Sequence, residues 1–578
     1  MSARGRQGLW LALALATALA YLWGLDGAYI PKFGDEMVYS HIARITAQSG
    51  QWLPLQSEYS HMRNTKPPLL FWQAMVAGQW GADWRLGALR LPSVLYTWGT
   101  ALMAALLAAR LWRQRQPGTV SGQAPGTAPA LQAGLVAATV FLLFFSSLRY
   151  SRTYLTSGPE TFWMFGIMAA LAWAPARLLA SRLWFPLAAG LALGLACLYK
   201  SFVLVIPVGF ALVLCHLLAH EPGQAPRRGA APLLSAGLKA ALSAVVALAV
   251  FSLWFILDPR PGDIWREFIV GENVGRMQGG PGYLGIALGG ASGIWVILLA
   301  CFTNAGLLLP LVAGAALAAW RAARRGEPAG AAEKVLWLWI LALTLFFLVP
   351  SQRTARYLIP AMPAVAILVA LHWRGIHRGW FAASIGLSLL ALMVLGVAAS
   401  GGAPAVGQTI YPPVFWLLLA GTAAAGVAGL CRAALAPAAS LVGALGTFLA
   451  MTALYAPFNG NLGQFKPATL RALQGEPVAV AYQFTGQQER YRFLLPGVQV
   501  KAVKAPPPRT EEDLAQLFGT ARYALVERWP GEAACRNCRV VDARWEPGSR
   551  PGGSVVDALL RPESYWFSQE YLVERPGP

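Results

Sequence analysis

Leu131-Gln132-Ala133-Gly134-Leu135-Val136-Ala137-Ala138-Thr139-Val140-Phe141-Leu142-Leu143-Phe144-Phe145-Ser146-Ser147-Leu148 runs without one charged side chain. As a helix, such a run reaches nearly across the ~30 Å hydrocarbon core of a bilayer. In lipid a helix satisfies its own backbone hydrogen bonds, which an isolated strand or loop cannot do. Leu9–Leu25 and Val335–Val349 have the same character. Across the 578 residues, 56% are hydrophobic and only 12% are charged. A soluble domain carries about 25% charged residues, so this chain cannot cover a large water-exposed surface. The composition predicts a polytopic, all-α membrane domain of about 13 transmembrane helices.

The formal net charge is +20. In a soluble protein that would suggest nucleic acid. Here the cations gather in short gaps between apolar runs: Arg110, Arg113 and Arg115; Arg177 and Arg182; Arg227 and Arg228; Arg321, Arg324 and Arg325; Arg374 and Arg378. Such gaps mark cytoplasmic loops under the positive-inside rule, so nucleic acid is not an expected partner. Arg4 and Arg6 precede the first run, which reads as an uncleaved span with its N-terminus inside. The stretch from Leu284 to Trp320 is ambiguous. Two spans there would leave Arg321, Arg324 and Arg325 outside, so one span preceded by an apolar surface segment is preferred. Residues 1–458 then form the membrane domain, and the tail, 459–578, lies outside.

In that tail Val478–Phe484, Val498–Val503 and Ala521–Val526 read as short strands. Thr510, followed by Glu511, Glu512 and Asp513, reads as a capped helix start. A small extracytoplasmic α/β domain is expected. Cys535 and Cys538 lie within it as a single C-x-x-C, either an inert pair or, in an oxidising compartment, a disulfide.

Few charges fall on the outer side. The loop from 26 to 89 is far longer than a connector requires, and long ordered loops are usually functional. Asp35-Glu36 begins a segment in which Val38, Ile42 and Ile45 share one helical face, predicting a helix along the membrane surface. The two acids point in different directions. Either is a helix-start anion favoured by the dipole, or one is a general base or substrate anchor. Lys66 precedes Pro67-Pro68-Leu69-Leu70-Phe71-Trp72, where it snorkels at the interface or pairs with a phosphate. Arg353 and Arg356, in Ser351-Gln352-Arg353-Thr354-Ala355-Arg356-Tyr357, put positive charge on the wrong side for the charge rule. An anionic ligand such as a lipid phosphate would account for it.

In order and spacing, Asp35-Glu36 after the first span, Lys66-Pro67-Pro68-Leu69-Leu70-Phe71-Trp72, and Arg356-Tyr357-Leu358 with Pro360 resemble motifs of the GT-C superfamily. These are polyprenyl-phosphate-sugar-dependent glycosyltransferases, near families 39 and 83, with the bacterial aminoarabinose lipid A transferases as the nearest type. The resemblance covers about the first 370 residues. It implies a catalytic aspartate at Asp35 and a lysine near the donor phosphate at Lys66. It also implies site roles for Lys200 at a span end, for Glu272, Asn273 and Arg276 in a later outer loop, and for Arg356 and Tyr357. Thr65 and Ser157 stand where that type carries acids, and Glu160 lies near enough to substitute. The departures favour a neutral or differently charged sugar.

The implied function is transfer of a sugar from undecaprenyl phosphate to a lipid A, glycan or protein acceptor at the periplasmic face of the bacterial inner membrane. No cofactor is implied. The absence of a dense carboxylate cluster argues against an obligatory metal. The alternative is a lipid or sugar transporter, which would carry mid-membrane charges and related repeats.

Overall fold

The computed structural model describes residues 3–29, 35–58, 63–115, 127–224, 229–274, 283–290, 292–482 and 486–576. Arg227 and Arg228 lie outside them. Seven helices are long and apolar enough to cross a membrane: Leu86–Gln114, Ala230–Leu257, Ala300–Arg324, Ala355–Gly375, Arg378–Val406, Pro413–Cys431 and Ala436–Asn459. Shorter apolar helices cover Gln7–Ala20, Ala128–Leu143, Trp184–Tyr199 and Phe202–Leu218. The ambiguous stretch is two short helices, Tyr283–Leu288 and Ile294–Leu298, ahead of the single long helix Ala300–Arg324.

The first elements are α1 (Ala3–Ala20), α2 (Asp35–Gln48), α3 (Leu69–Ala77), α4 (Leu86–Gln114), α5 (Thr127–Leu143), α6 (Phe145–Tyr150) and α7 (Ser157–Trp173). The apolar run 131–148 is therefore not one helix. Phe144 takes an extended conformation (ψ 136°), and the chain restarts as α6. The break redirects Arg149 and Tyr150 away from the α5 axis.

Basic loops are tied together at one end of the bundle. Arg115 donates to the Leu371 carbonyl at 3.1 Å, and Lys334 to the His220 carbonyl at 2.8 Å. The other end carries the acids and cations singled out above.

The helix Ala436–Asn459 leads into a five-stranded sheet made of β1 (Pro477–Ala481), β2 (Gln499–Val503), β3 (Tyr523–Arg528), β4 (Arg539–Pro547) and β5 (Phe567–Glu574), ordered β2-β1-β3-β5-β4. β1 pairs in parallel with β2 and β3, while β5 runs antiparallel to β3 and β4. Thr510 caps the helix Glu511–Phe518 through a capping box with Asp513, satisfying two backbone donors that would otherwise lack partners. Cys535 and Cys538 form a disulfide.

α2 is covered on more than the one apolar face that its periodicity predicts. Residues 36–43, Thr46 and Ala47 are buried. The reason is a second partner: the helix Gln487–Leu494 of the tail covers the face that α3 leaves open. Glu489 of that helix is wholly buried and accepts hydrogen bonds from Arg44 (Nε–Oε1 2.6 Å) and His41 (Nδ1–Oε2 3.0 Å). The Glu58 backbone N–H donates to His41 Nε2 (3.2 Å), which leaves Nδ1 as the protonated nitrogen facing Glu489. Burial alone would raise the Glu489 carboxyl. The hydrogen bonds and charge of His41 and Arg44 outweigh it and hold the group below the usual carboxylate range.

Candidate functional site

Asp35 and Glu36 open α2, where the helix dipole favours anions. Their surroundings differ completely. Glu36 is fully buried in a two-pronged pair with Arg90 of α4, at 2.8 Å on each prong, and it also accepts the Tyr154 backbone N–H at 2.8 Å. Glu36 is thereby corrected from catalytic candidate to structural anchor, because its carboxylate is committed to neutralising a buried guanidinium. Asp35, by contrast, is 49% exposed, and Arg356 Nη1 approaches its Oδ2 at 3.3 Å. Asp35 therefore has open space for a substrate that Glu36 lacks.

Arg356 and Tyr357 belong to the short 3-10 helix Ala355–Ala361. Adjacent residues on such a turn point in different directions. Arg356 turns to Asp35 and lies 4.9 Å over the Tyr150 ring. Tyr357 turns to a cavity that opens to the surface. Its polar lining includes Lys66, Lys200, Ser201, Glu272, Asn273 and Gln352, and its apolar wall includes Leu204, Phe268, Phe346 and Phe347.

Each cation in the cavity is placed by its element. Lys66 follows a loop fastened by Arg63 to Asp263 (2.9 Å) and by Asn64 to Glu267 (2.7 Å). Its Nζ donates to the Thr65 carbonyl at 2.8 Å and lies 3.7 Å from Glu272. Lys200 stands just past the C-terminus of the helix Trp184–Tyr199, and Glu160 stands in the first turn of α7. Opposite helix ends meet there, and Lys200 Nζ lies 2.8 Å from both Glu160 oxygens. Glu160 is thus the ion-pair partner of Lys200 rather than an open acid. Lys200 Nζ also lies 5.6 Å over the Tyr357 ring.

Arg353 is corrected as well. It is buried and donates to the Leu348 (2.9 Å) and Ser292 (3.1 Å) carbonyls, which ties down its loop, and it does not line the cavity. Asn273 accepts from Ser201 Oγ at 2.8 Å. Arg276 lies outside the described residues. Sequence reasoning missed Ser201 and Gln352, although each adjoins a residue it selected. Among the described residues, no three of His, Cys, Asp and Glu cluster as metal ligands would.

The bundle of apolar helices and the small sheet domain that follows it have a counterpart among solved structures. The fold is shared with ArnT from Cupriavidus metallidurans, solved with undecaprenyl phosphate bound, at a TM-score of 0.60 and 18% identity over 97% of this chain and 98% of that one. Among curated proteins, the undecaprenyl phosphate-alpha-4-amino-4-deoxy-L-arabinose arabinosyl transferase of Pseudomonas paraeruginosa is 29% identical over 415 residues, 68% of this chain and 65% of the relative. A transferase of the same name from Sodalis glossinidius is 28% identical over 412 residues, 69% of this chain and 66% of the relative. The chain thus spans just under two thirds of the length of these relatives. No family model matches it. The relatives and the fold agree with the resemblance drawn from the motifs.

Proposed function

We propose that this chain is an integral membrane glycosyltransferase that moves a sugar from undecaprenyl phosphate to an acceptor at the periplasmic face of the bacterial inner membrane. The observation that carries this reading is the cavity in which Lys66, Lys200 and Tyr357 meet a wall of phenylalanines. That combination suits a phosphate joined to a polyprenyl chain. The named activity of the curated relatives points the same way.

In this reading Asp35 orients the acceptor and takes its proton where the nucleophile is a hydroxyl. The acceptor oxygen bonds to the anomeric carbon as the bond from that carbon to the phosphate oxygen breaks. Lys66 and Lys200 offset the charge on the departing lipid phosphate. Positioning and charge stabilisation are the main contributions, because phosphate is already a good leaving group. The seven long helices, the four shorter apolar ones, α7 and Ala331–Phe347 supply the thirteen crossings. The tail, with its disulfide, then falls on the oxidising side. The sugar is neutral or differently charged from aminoarabinose, since Thr65 and Ser157 bring no carboxylate and Glu160 is neutralised by Lys200.

The test is release of undecaprenyl phosphate from undecaprenyl-phosphate sugars by purified protein, with an acceptor extract from the envelope. Acceptor-dependent release supports the transferase. Movement of the donor across vesicles with no release would instead identify a transporter.

A further inference from the structure

The tail meets the membrane bundle a second time through two short helices, Val555–Leu560 and Pro562–Tyr565. Both pack against the long helix Arg378–Val406. Gly401 permits the approach, since a Cβ there would come 2.6 Å from the Glu563 backbone nitrogen. Arg378–Val406 and Pro413–Cys431 are both of span length, so the chain between them turns at a face of the bilayer. The helix Val555–Leu560 is therefore placed at that face. A capping box of Ser554 with Asp557 opens it, and Trp566 Nε1 donates to the Ala558 carbonyl at 3.1 Å. Ala558 is buried, whereas Val556, Leu559 and Leu560 share the outward face, exposed by 60, 43 and 76%. A helix on a water-washed surface shows the reverse pattern. In about the three turns before Gly401, Arg378–Val406 likewise exposes Leu390, Met393 and Val394. Arg561, directly after the short helix, is exposed and forms no ion pair among the described residues.

We propose that Val555–Leu560 is an anchor of the tail in the bilayer, with Val556, Leu559 and Leu560 among the acyl chains and Arg561 at the phosphates of the lipid head groups. It needs only the membrane-spanning bundle and is independent of the reaction. Lipid is favoured over a second protein by continuity and by charge. The apolar face adjoins the helix whose exposed Leu390, Met393 and Val394 already meet lipid in a spanning bundle. The guanidinium at its end reaches phosphate while the apolar side chains lie deeper, as in interfacial helices generally. Three such side chains would hold a free domain only weakly, but this tail is already tethered to the bundle. The tail is then held on both sides of its sheet: Gln487–Leu494, beside β2, carries Glu489 to α2, and Pro562–Tyr565, beside β5, carries the anchor. The sheet domain cannot rock about the Glu489 joint without drawing apolar side chains out of lipid.

The experiment places the full-length protein in vesicles of phosphatidylethanolamine and phosphatidylglycerol. Cys431→Ser removes the exposed free thiol, and a nitrobenzoxadiazole label is attached at Leu560→Cys or, as control, at Val540→Cys. Val540 is exposed at the end of β4 remote from Phe567, which stacks on Phe458 of the membrane bundle. Nitroxide on the lipid acyl chains should quench the label at 560 and not at 540, and aqueous iodide should do the opposite. Iodide quenching at 560 equal to that at 540 would overturn the anchor. Shielding from both quenchers would put a protein partner or a second copy on this face and would overturn it equally. Leu559→Glu, read with the label at Val556→Cys, should lose lipid quenching and gain iodide quenching. Unchanged lipid quenching there would show that the label and not the apolar face enters lipid, against the proposal. Arg561→Glu should also move the label toward water, and no change would strike Arg561 from the head-group contact. All of the substituted side chains are exposed, and gel filtration checks the fold of each variant.

Discussion

Asp35 and Glu36 are neighbours with the same chemistry, and the chain uses them in opposite ways. Asp35→Asn keeps size and hydrogen bonding but removes basicity. If Asp35 is the base, turnover should fall about 10²–10⁴-fold in protein that still folds. Asn also caps helices well, so a residue that only opened α2 would leave turnover near normal. Glu36→Gln is not a neutral control for this comparison. It leaves Arg90 buried without its counter-charge, and breaking such a pair typically costs about 3–5 kcal/mol. Its expected signature is a lowered unfolding temperature in detergent and a smaller yield of monodisperse protein. A Glu36→Gln protein as stable as wild type would contradict the anchoring role.

At the scale of elements, Gly486 decides how α2 is held. Its φ is +72°, and a Cβ there would come 2.8 Å from the Val38 backbone nitrogen and 3.1 Å from the Met37 carbonyl carbon. Gly486→Ala must therefore shift the first turn of α2, which carries Asp35. Displacing a reacting group by about 1 Å can cost 10²-fold. The prediction is a large loss of turnover with the sheet domain still folded, read by transfer rate against circular dichroism. Full turnover would show that the tail does not set the position of α2. Contacts of this kind were not legible in the sequence, because the periodicity of Val38, Ile42 and Ile45 reports an apolar face and not what covers it. The long helices were legible, since an uncharged run of span length has one stable form in lipid. β4 and β5 were not. Arg544, Glu546 and Glu570 interrupt their apolar alternation, yet in the fold both glutamates pair with Arg544, with Arg544 and Glu570 buried and Glu546 partly exposed. The break at Phe144 was hidden for the opposite reason, as nothing in its uncharged surroundings marks an interruption. Lys66, Lys200, Tyr357 and Asp35 were singled out because a charge or phenol on a sparsely charged side needs a local cause. Glu36, Glu160 and Arg353 met the same criterion and were satisfied internally.

For the whole molecule, the joint between tail and membrane domain is electrostatic and therefore titrates. Glu489 is held below its unfolded value of about 4.3. Its contribution to docking is fully present above that value and is lost as pH falls through the depressed native one. Hydrogen exchange in α2 should stay slow from neutral pH to about 5 and quicken below about 4. In Glu489→Gln, exchange in α2 should already be faster at neutral pH, and the acid-induced change should shrink. Unchanged exchange in that variant at both pH values would exclude Glu489 as the clasp. The two sides of this joint stand 448 positions apart in the chain, His41 near its beginning and Glu489 near its end. A ribosome completes α2 long before it makes the residue that fastens it. Until Glu489 has been synthesised, Arg44 and His41 of the helix bearing Asp35 lack the carboxylate that both of them bond. A chain stalled or cleaved before that point is thus left with α2 unfastened, so the order of synthesis makes the clasp the last part of this joint to close.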